Sequence, residues 1–282
     1  MILITGATGT IGTEVTRLLA QAGVPARAMT RDPARAGGTA VPAVRGDFED
    51  PRSLEAAAAG ARAALLLTGF GPRLAEHDRA FVAAAEKAGV ETIVKISAIG
   101  AQDTGDPGDV ASLHAAGERA VTGSRAAWTI LRPSMFATNA LAWADIVKAG
   151  QPIPNMTGAG RQGIVDPRDI AALAVAALTG SGHEGRIYEV TGPDLLTVAD
   201  QAELIGKAIG RRVETVDVPI ERAAAQIPDA AYARAAAKGW AFIASGGNAV
   251  VTTAVRDVLG REARGFGQWA EENKAAFQNN VG

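Results

Sequence analysis

The sequence predicts an α/β fold, a parallel sheet doubly wound by helices, followed by a smaller C-terminal region. Three observations carry that expectation. Apolar Ile2-Leu3-Ile4 runs directly into Thr5-Gly6-Ala7-Thr8-Gly9-Thr10-Ile11-Gly12 and then into a helical pattern at Ile11, Val15, Leu18, Leu19 and Ala22. Strand-like and helix-like segments then alternate, which suits a parallel sheet covered on both faces. Of the 282 residues, 48% are hydrophobic and 21% charged, enough apolar material for a large core in one large domain or two unequal ones.

The order strand, glycine turn, helix is that of a Rossmann-type dinucleotide site. Gly6 turns the chain, Gly9 lets the backbone approach a pyrophosphate and Gly12 permits close helix packing, while Thr8, Thr10 and Ile11 complete the turn. The free N–H groups and dipole of the helix N-terminus attract the phosphates. Further strands are expected at Ala26 to Thr30, Ala43 to Gly46, Ala63 to Thr68, Thr92 to Ser97 and Trp128 to Leu131. Leu74, Phe81, Val82 and Ala85 mark an amphipathic helix that Gly89 ends. Asp166-Pro167 opens a helix with Ile170, Leu173, Ala174 and Leu178 on one face, and a strand-like Ile187 to Thr191 follows.

Beyond that the texture changes. Thr197 and Asp200 form a start signal for a helix running to Gly210, Val213 to Val218 alternates, and an alanine-rich helical stretch precedes the tail around Trp269. The expected division is residues 1–132 as dinucleotide-binding domain and 133–282 as mixed sheet extension and smaller substrate-binding region.

Composition excludes several classes of function. The formal net charge of −2 comes without long basic runs, so the footprint of nucleic-acid binding is missing. The chain has no cysteine, and its histidines, His77, His114 and His183, stand in no metal-ligand spacing, so disulfides, thiolate chemistry and a metal site are not expected. There is no Gly-x-Ser-x-Gly elbow and no phosphate loop ending in Gly-Lys-Ser/Thr. A strand beginning at residue 2 and the lack of an apolar run of about 18 residues predict a cytoplasmic protein without a membrane span.

The end of the second strand bears on the choice of cofactor. An NAD site places a carboxylate there, about 20 residues past the glycines, to bind the ribose 2′-hydroxyl. Here Thr30 is followed by Arg31, which offers a 2′-phosphate a forked guanidinium donor, with Arg35 as a second charge. NADP(H) is therefore expected in preference to NAD(H), although a one-residue shift of the strand end makes Asp32 the ribose-binding acid. Asp47 and Phe48 are expected near the adenine, against the plain alternative of a capping Asp and a core Phe.

The chain resembles the NmrA-like, atypical short-chain dehydrogenase/reductase group, and within it type 2 NAD(P)H:quinone oxidoreductases and triphenylmethane reductases. The resemblance is carried by Thr5 to Gly12, Thr30-Arg31-Asp32-Pro33, Gly46-Asp47, His114-Ala-Ala-Gly-Glu118, Trp128-Thr-Ile-Leu-Arg132-Pro133 and Phe136-Ala-Thr-Asn139. Val165 to Ala171 and Tyr188-Glu-Val-Thr-Gly192-Pro193 continue it, so that it covers nearly the whole chain. It implies a cofactor lying along the strand ends, touching the turn Thr68-Gly69-Phe70 and, near the nicotinamide, Pro133-Ser134-Met135-Phe136. The Tyr-x-x-x-Lys pair of the wider superfamily is replaced by His114 and Glu118, which fits the quinone reductase subgroup.

That replacement shapes the expected chemistry. His114 and Glu118 lie one helical turn apart on one face. With an unperturbed pKa of about 6.5, His114 is the candidate proton donor and Glu118 the group that orients it; the plain alternative is a packed His114 with Glu118 facing solvent or Arg119. Ser97 is the candidate donor to a nascent oxyanion. Lys95, on the same side of its strand, reads as a stem snorkelling from the sheet, with reach to a phosphate, a ribose hydroxyl or the pocket as the alternative. Phe70, Met135, Phe136, Trp143 and Trp240 are candidates for a flat apolar substrate pocket, or for core. The expected activity is NADPH-dependent hydride transfer to a quinone-like or other conjugated small molecule, by a monomer or homodimer. The alternatives are a non-catalytic NADP(H) sensor and a biosynthetic ketone or imine reductase or cyclase on the same fold.

Overall fold

The computed structural model describes residues 1–69, 71–106 and 109–279, with the Arg35 side chain outside the description. The chain runs through β1 (Ile2–Ile4), α1 (Thr10–Gln21), β2 (Ala26–Thr30), β3 (Ala43–Arg45), α2 (Pro51–Ala58), β4 (Ala63–Leu66), α3 (Leu74–Lys87), β5 (Thr92–Ile96), α4 (Val110–Thr122) and β6 (Ala127–Pro133). It continues through α5 (Ala144–Lys148), β7 (Ile153–Asn155), β8 (Gln162–Gly163), α6 (Pro167–Thr179), β9 (Arg186–Val190), β10 (Leu195–Leu196) and α7 (Val198–Ile209). β11 (Thr215–Asp217), α8 (Ile220–Ala224), α9 (Ala230–Ala244), α10 (Ala254–Leu259) and α11 (Phe266–Glu272) complete it.

Two compact units result, residues 1–133 with 168–189, and residues 134–167 with 190–282. In the first, the described strands form a sheet in the order β3-β2-β1-β4-β5-β6-β9, with every register from β3 to β6 parallel. This is the Rossmann-type arrangement expected from the alternation of strand and helix. β1 and β4 are wholly buried, as strands covered on both faces must be. The outward path β1-β2-β3 gives way to β4-β5-β6 on the other side of β1, so the carboxyl ends of β1 and β4 flank the topological switch point, where such sheets bind ligands. Leu3, Leu54, Leu66, Phe81, Ile93 and Val121 anchor the core on one side of this sheet.

Local signals explain the helix starts. Asp50 caps α2 through the Ser53 N–H with Pro51 at the first position, and Thr197 and Asp200 form the reciprocal capping box that opens α7. The second unit has its own core of Ile153, Ile164, Val198, Ile205, Phe266, Trp269 and Phe277, and two small sheets, β10-β8 antiparallel and β11-β7 parallel. Among the described residues no helix is long and apolar enough to cross a membrane.

Candidate active site

The glycine turn leaves β1 at its carboxyl end. Gly6 has φ +58, a conformation that L side chains rarely adopt, and a Cβ there would stand 2.8 Å from the Leu67 carbonyl oxygen. At Gly12 a Cβ would stand 2.2 Å from the Gly6 oxygen and 2.6 Å from the Ala7 Cα, so only glycine lets α1 begin against the turn. Gly9 differs, since its Cβ would meet only the Gly6 oxygen at 3.4 Å, and its outward side is open. Gly9 is also the N-cap of α1, where no side chain caps the first N–H groups and no acidic residue lies in the first turn. Thr8 and Thr10 are exposed at the turn and Ile11 is buried beneath it. An open glycine before uncapped, outward-facing N–H donors is what a pyrophosphate requires, so these residues fit a dinucleotide. Thr5 ties the turn to the exit of β4 by accepting from the Leu67 N–H at 2.8 Å and donating to the Leu67 carbonyl at 3.0 Å.

At the end of β2, Asp32 opens the turn that follows. Its Oδ1 accepts from the Ala34 N–H at 3.0 Å, capping a short 3-10 turn, and its own N–H donates to Thr30 Oγ1 at 3.3 Å. Arg31 beside it is exposed and has no ion-pair partner among the described residues. The expected contribution of the Arg35 side chain, like that of Phe70, lies outside the described residues. Asp47 accepts from the Glu49 N–H at 3.0 Å, and Phe48 stacks on His77 at 5.4 Å and meets Phe81 edge-on at 6.3 Å. Asp47 thus closes a local turn ahead of α2, whose N-cap is Asp50, and Phe48 is partly buried against the core.

The exits of β5 and β6 bring together a cluster that differs from the sequence reading. Ser97 Oγ is buried and donates to Glu118 Oε1 at 2.5 Å, and Arg132 adds Nε to the same oxygen at 2.8 Å and Nη2 to Oε2 at 2.6 Å. This corrects two expectations. The one proton of Ser97 is directed at a carboxylate rather than toward an oxyanion, and Glu118 is held by Ser97 and Arg132 instead of orienting His114. Arg119, the alternative partner, pairs with Asp103 at 3.6 Å. The Glu118 hydrogen bond raises the Arg132 pKa above the ordinary guanidinium value.

His114, on α4, departs from its reference behaviour. Burial, reinforced by the Lys95 cation and opposed by Asp78 and Glu118, lowers its pKa to about 4, so the ring is neutral at pH 7. Its Nδ1 is buried without a hydrogen-bond partner among the described residues. Lys95 follows neither sequence reading. It is fully buried, with Nζ 2.5 Å from Asp78 Oδ2, and Asp78 Oδ1 accepts from Thr68 Oγ1 at 2.6 Å. Asp78 was missed, although a carboxylate four residues after Leu74 and four before Val82 sits on the apolar stripe of α3 and is conspicuous there.

Gly69 is exposed beyond Thr68, and Pro133 ends β6 with its carbonyl accepting from the Ile99 N–H at 3.0 Å. In the second unit, Ser134 is buried and donates to Asn248 Oδ1 at 3.0 Å. Val165 brackets the next residues, its N–H donating to the Met135 carbonyl at 2.9 Å and its carbonyl accepting from Ala137 at 2.9 Å. Met135 is exposed, Phe136 and Trp240 are half-buried, and Trp143 packs on the unit's hydrophobic core.

Comparison with known proteins agrees with this geometry. Residues 6–180 match a family described as NAD(P)H-binding. A (4-alkanoyl-5-oxo-2,5-dihydrofuran-3-yl)methyl phosphate reductase of Streptomyces griseus is 36% identical over 98% of this chain and 99% of its own. An NAD(P)H azoreductase of Xenophilus azovorans is 35% identical over 98% of this chain and 99% of its own. Among solved structures, the NADPH-dependent quinone oxidoreductase of Escherichia coli complexed with NADPH gives a TM-score of 0.86 at 26% identity, covering 96% of this chain and 99% of that one. The resemblance read from the motifs is thereby borne out. A match over more than half of the chain, on a glycine turn shaped for a pyrophosphate, makes this protein a member of the NAD(P)H-binding family of oxidoreductases.

Proposed function

We propose that this oxidoreductase prefers NADPH and passes its reducing equivalents to a quinone-like or otherwise conjugated small molecule. The observation that carries the reading is the acid available on α4. The superfamily's Tyr-x-x-x-Lys pair is absent, Glu118 is occupied by Ser97 and Arg132, and His114 is neutral at pH 7. Reduction of an isolated ketone leaves a basic alkoxide that needs a strong, positioned acid, whereas a conjugated acceptor delocalises the incoming electron pair and takes its proton later from water. A neutral imidazole N–H suffices to hydrogen-bond such a product. The relatives are named for quinone, azo and alkanoyl-dihydrofuranone reductions, a range consistent with this class of acceptor.

When bound, the dihydronicotinamide supplies the hydride. The protein contributes a glycine turn and the α1 N-terminus for the pyrophosphate, Arg31 for a 2′-phosphate, the Thr68–Gly69 loop and Pro133 toward the nicotinamide half, and His114 as donor to the acceptor oxygen. Ser97, Glu118 and Arg132 act as a positioning cluster. The test is titration with NADPH and NADH, followed by NADPH oxidation against quinones, azo dyes and enones. Turnover on these and not on saturated ketones is expected. Tight binding with no turnover on any acceptor would instead favour a cofactor sensor.

A further inference from the structure

The first unit holds a charge pair to which the proposed chemistry gives no part. Lys95 projects from β5 with its side chain 1% exposed, and Asp78 projects from α3 at 0%. Asp78 bridges Lys95 Nζ at 2.5 Å and Thr68 Oγ1 at 2.6 Å, and Lys95 also reaches the Ile96 carbonyl at 3.4 Å. The third element of the cluster, α4, is shaped to admit the pair. A Cβ at Gly117 would stand 2.0 Å from Asp78 Oδ2 and 3.0 Å from Lys95 Cε, so the bare backbone of α4 lets it close over both charges.

Stability is a poor reason to keep such a pair, because well-packed apolar residues of similar volume commonly serve as well or better. Its neighbours supply a better one. Thr68 lies in the β4 exit loop, which Thr5 laces to the glycine turn through Leu67. His114 lies three residues before Gly117 and so shares its face of α4.

We propose that Asp78 and Lys95 are positioning residues for the reductase centre: Asp78 fixes the β4 exit loop through the Thr68 hydroxyl, and the Lys95 ammonium sets the electrostatic field at His114. The roles of the loop and of His114 rest on the function proposed above. The charged groups acting on His114 are Lys95 from β5, Asp78 from α3 and Glu118 from α4 itself, the last held by Arg132 of β6. Of the three, Lys95 acts most strongly, and it disfavours the imidazolium.

The experiment is an NMR titration of the His114 ring protons in the full chain, assigned with His114→Gln, in wild type, Lys95→Met, Asp78→Asn and the double variant. Lys95→Met is expected to raise the His114 midpoint by about one pH unit, a tenfold change in the protonation constant. Asp78→Asn is expected to lower it. Each single variant strands a buried charge, so if either fails to fold the double variant decides: an upward shift supports the proposal, because the Lys95 effect outweighs that of Asp78, and an unchanged midpoint overturns the field at His114. The loop half is read separately in Thr68→Val, which keeps shape and loses the bond to Asp78. About fivefold weaker NADPH binding with an unmoved His114 midpoint is expected, by the modest worth of one charged hydrogen bond, and unchanged affinity overturns that half. Neither readout requires turnover, so a wrong acceptor class leaves both interpretable.

Discussion

His114 shows how far a single side chain departs from its reference value when a helix buries it beside a cation. Its pKa of about 4 in the folded chain against about 6.5 in the unfolded one has a thermodynamic consequence with a definite sign. Above pH 6.5 both states are neutral at this residue and stability is unaffected. As the pH falls from about 6.5 to about 4 the unfolded chain takes up the proton and the folded one does not, so stability drops by on the order of 3 kcal/mol. His114→Gln should remove that part of the pH dependence, measured as the difference between urea midpoints at pH 7 and pH 4.5, and identical slopes for the two proteins would sink the assignment. The end of β2 supplies a second residue-scale prediction. Arg31→Ala should weaken NADPH by about 10- to 100-fold, the worth of a charge-assisted phosphate contact, and NADH by no more than about threefold; equal losses would show that Arg31 does not meet the 2′-phosphate. The sequence left Arg31 and Asp32 in competition, and no spacing rule separates neighbours. In the structure one Asp32 carboxylate oxygen caps the Ala34 N–H, and the two affinities of the Arg31→Ala variant decide between the neighbours.

At the scale of elements, the glycine turn and α1 give a prediction that separates folding from binding. Gly12→Ala places a methyl 2.2 Å from a backbone oxygen that cannot yield, so it should cost at least the 1–3 kcal/mol typical of overpacking and abolish cofactor binding as the turn shifts. Gly9→Ala meets nothing closer than 3.4 Å and Gly9 has φ −86, which alanine adopts readily, so the thermal midpoint should stay within about 2 °C of wild type. NADPH affinity should nevertheless fall by more than tenfold, because the methyl occupies the side left open for phosphate. Melting curves and binding titrations on the two variants check both halves, and a Gly9→Ala protein that binds NADPH normally would displace the pyrophosphate from this turn. Elements of this kind were legible because buried parallel strands read as short apolar runs between turn residues, and β1, β2, β4, β5 and β6 lie within two residues of their expected limits. The Thr197/Asp200 box was legible for the same reason, a local rule with a local cause. β8 and β10, two residues each, have no period to detect, and their pairing is a tertiary outcome. The site was less legible than the fold. Lys95, Asp78 and Gly117 come from β5, α3 and α4, and a glycine needed for the close approach of a buried ion pair looks in sequence like any other helical glycine.

The first unit as a whole is not a continuous stretch of chain. It takes residues 1–133, leaves for 134–167 and returns for 168–189, so α6 and β9 belong to the sheet that β1 begins. The return is fastened to β6, where Thr129 Oγ1 donates to the His183 carbonyl at 2.8 Å and the Gly185 N–H to the Trp128 carbonyl at 2.7 Å. α6 contributes Ile170, Ala171, Leu173 and Ala174, all at most 1% exposed. A fragment of residues 1–133, the cut closest to a division at 132/133, keeps the glycine turn, Arg31 and the Ser97–Glu118–Arg132 cluster but leaves β6 as an unpaired apolar edge. Such an edge recruits other chains rather than waiting in water. The expected outcome is a fragment that self-associates, shows no cooperative unfolding transition and binds NADPH at least tenfold more weakly than the full chain, with binding recovered on adding a peptide of residues 167–190. Light scattering and NADPH titration of the fragment, with and without the peptide, check it. Full-strength binding by the fragment alone would mean that the six parallel strands suffice, and that the chain's return through α6 and β9 is dispensable for the dinucleotide site.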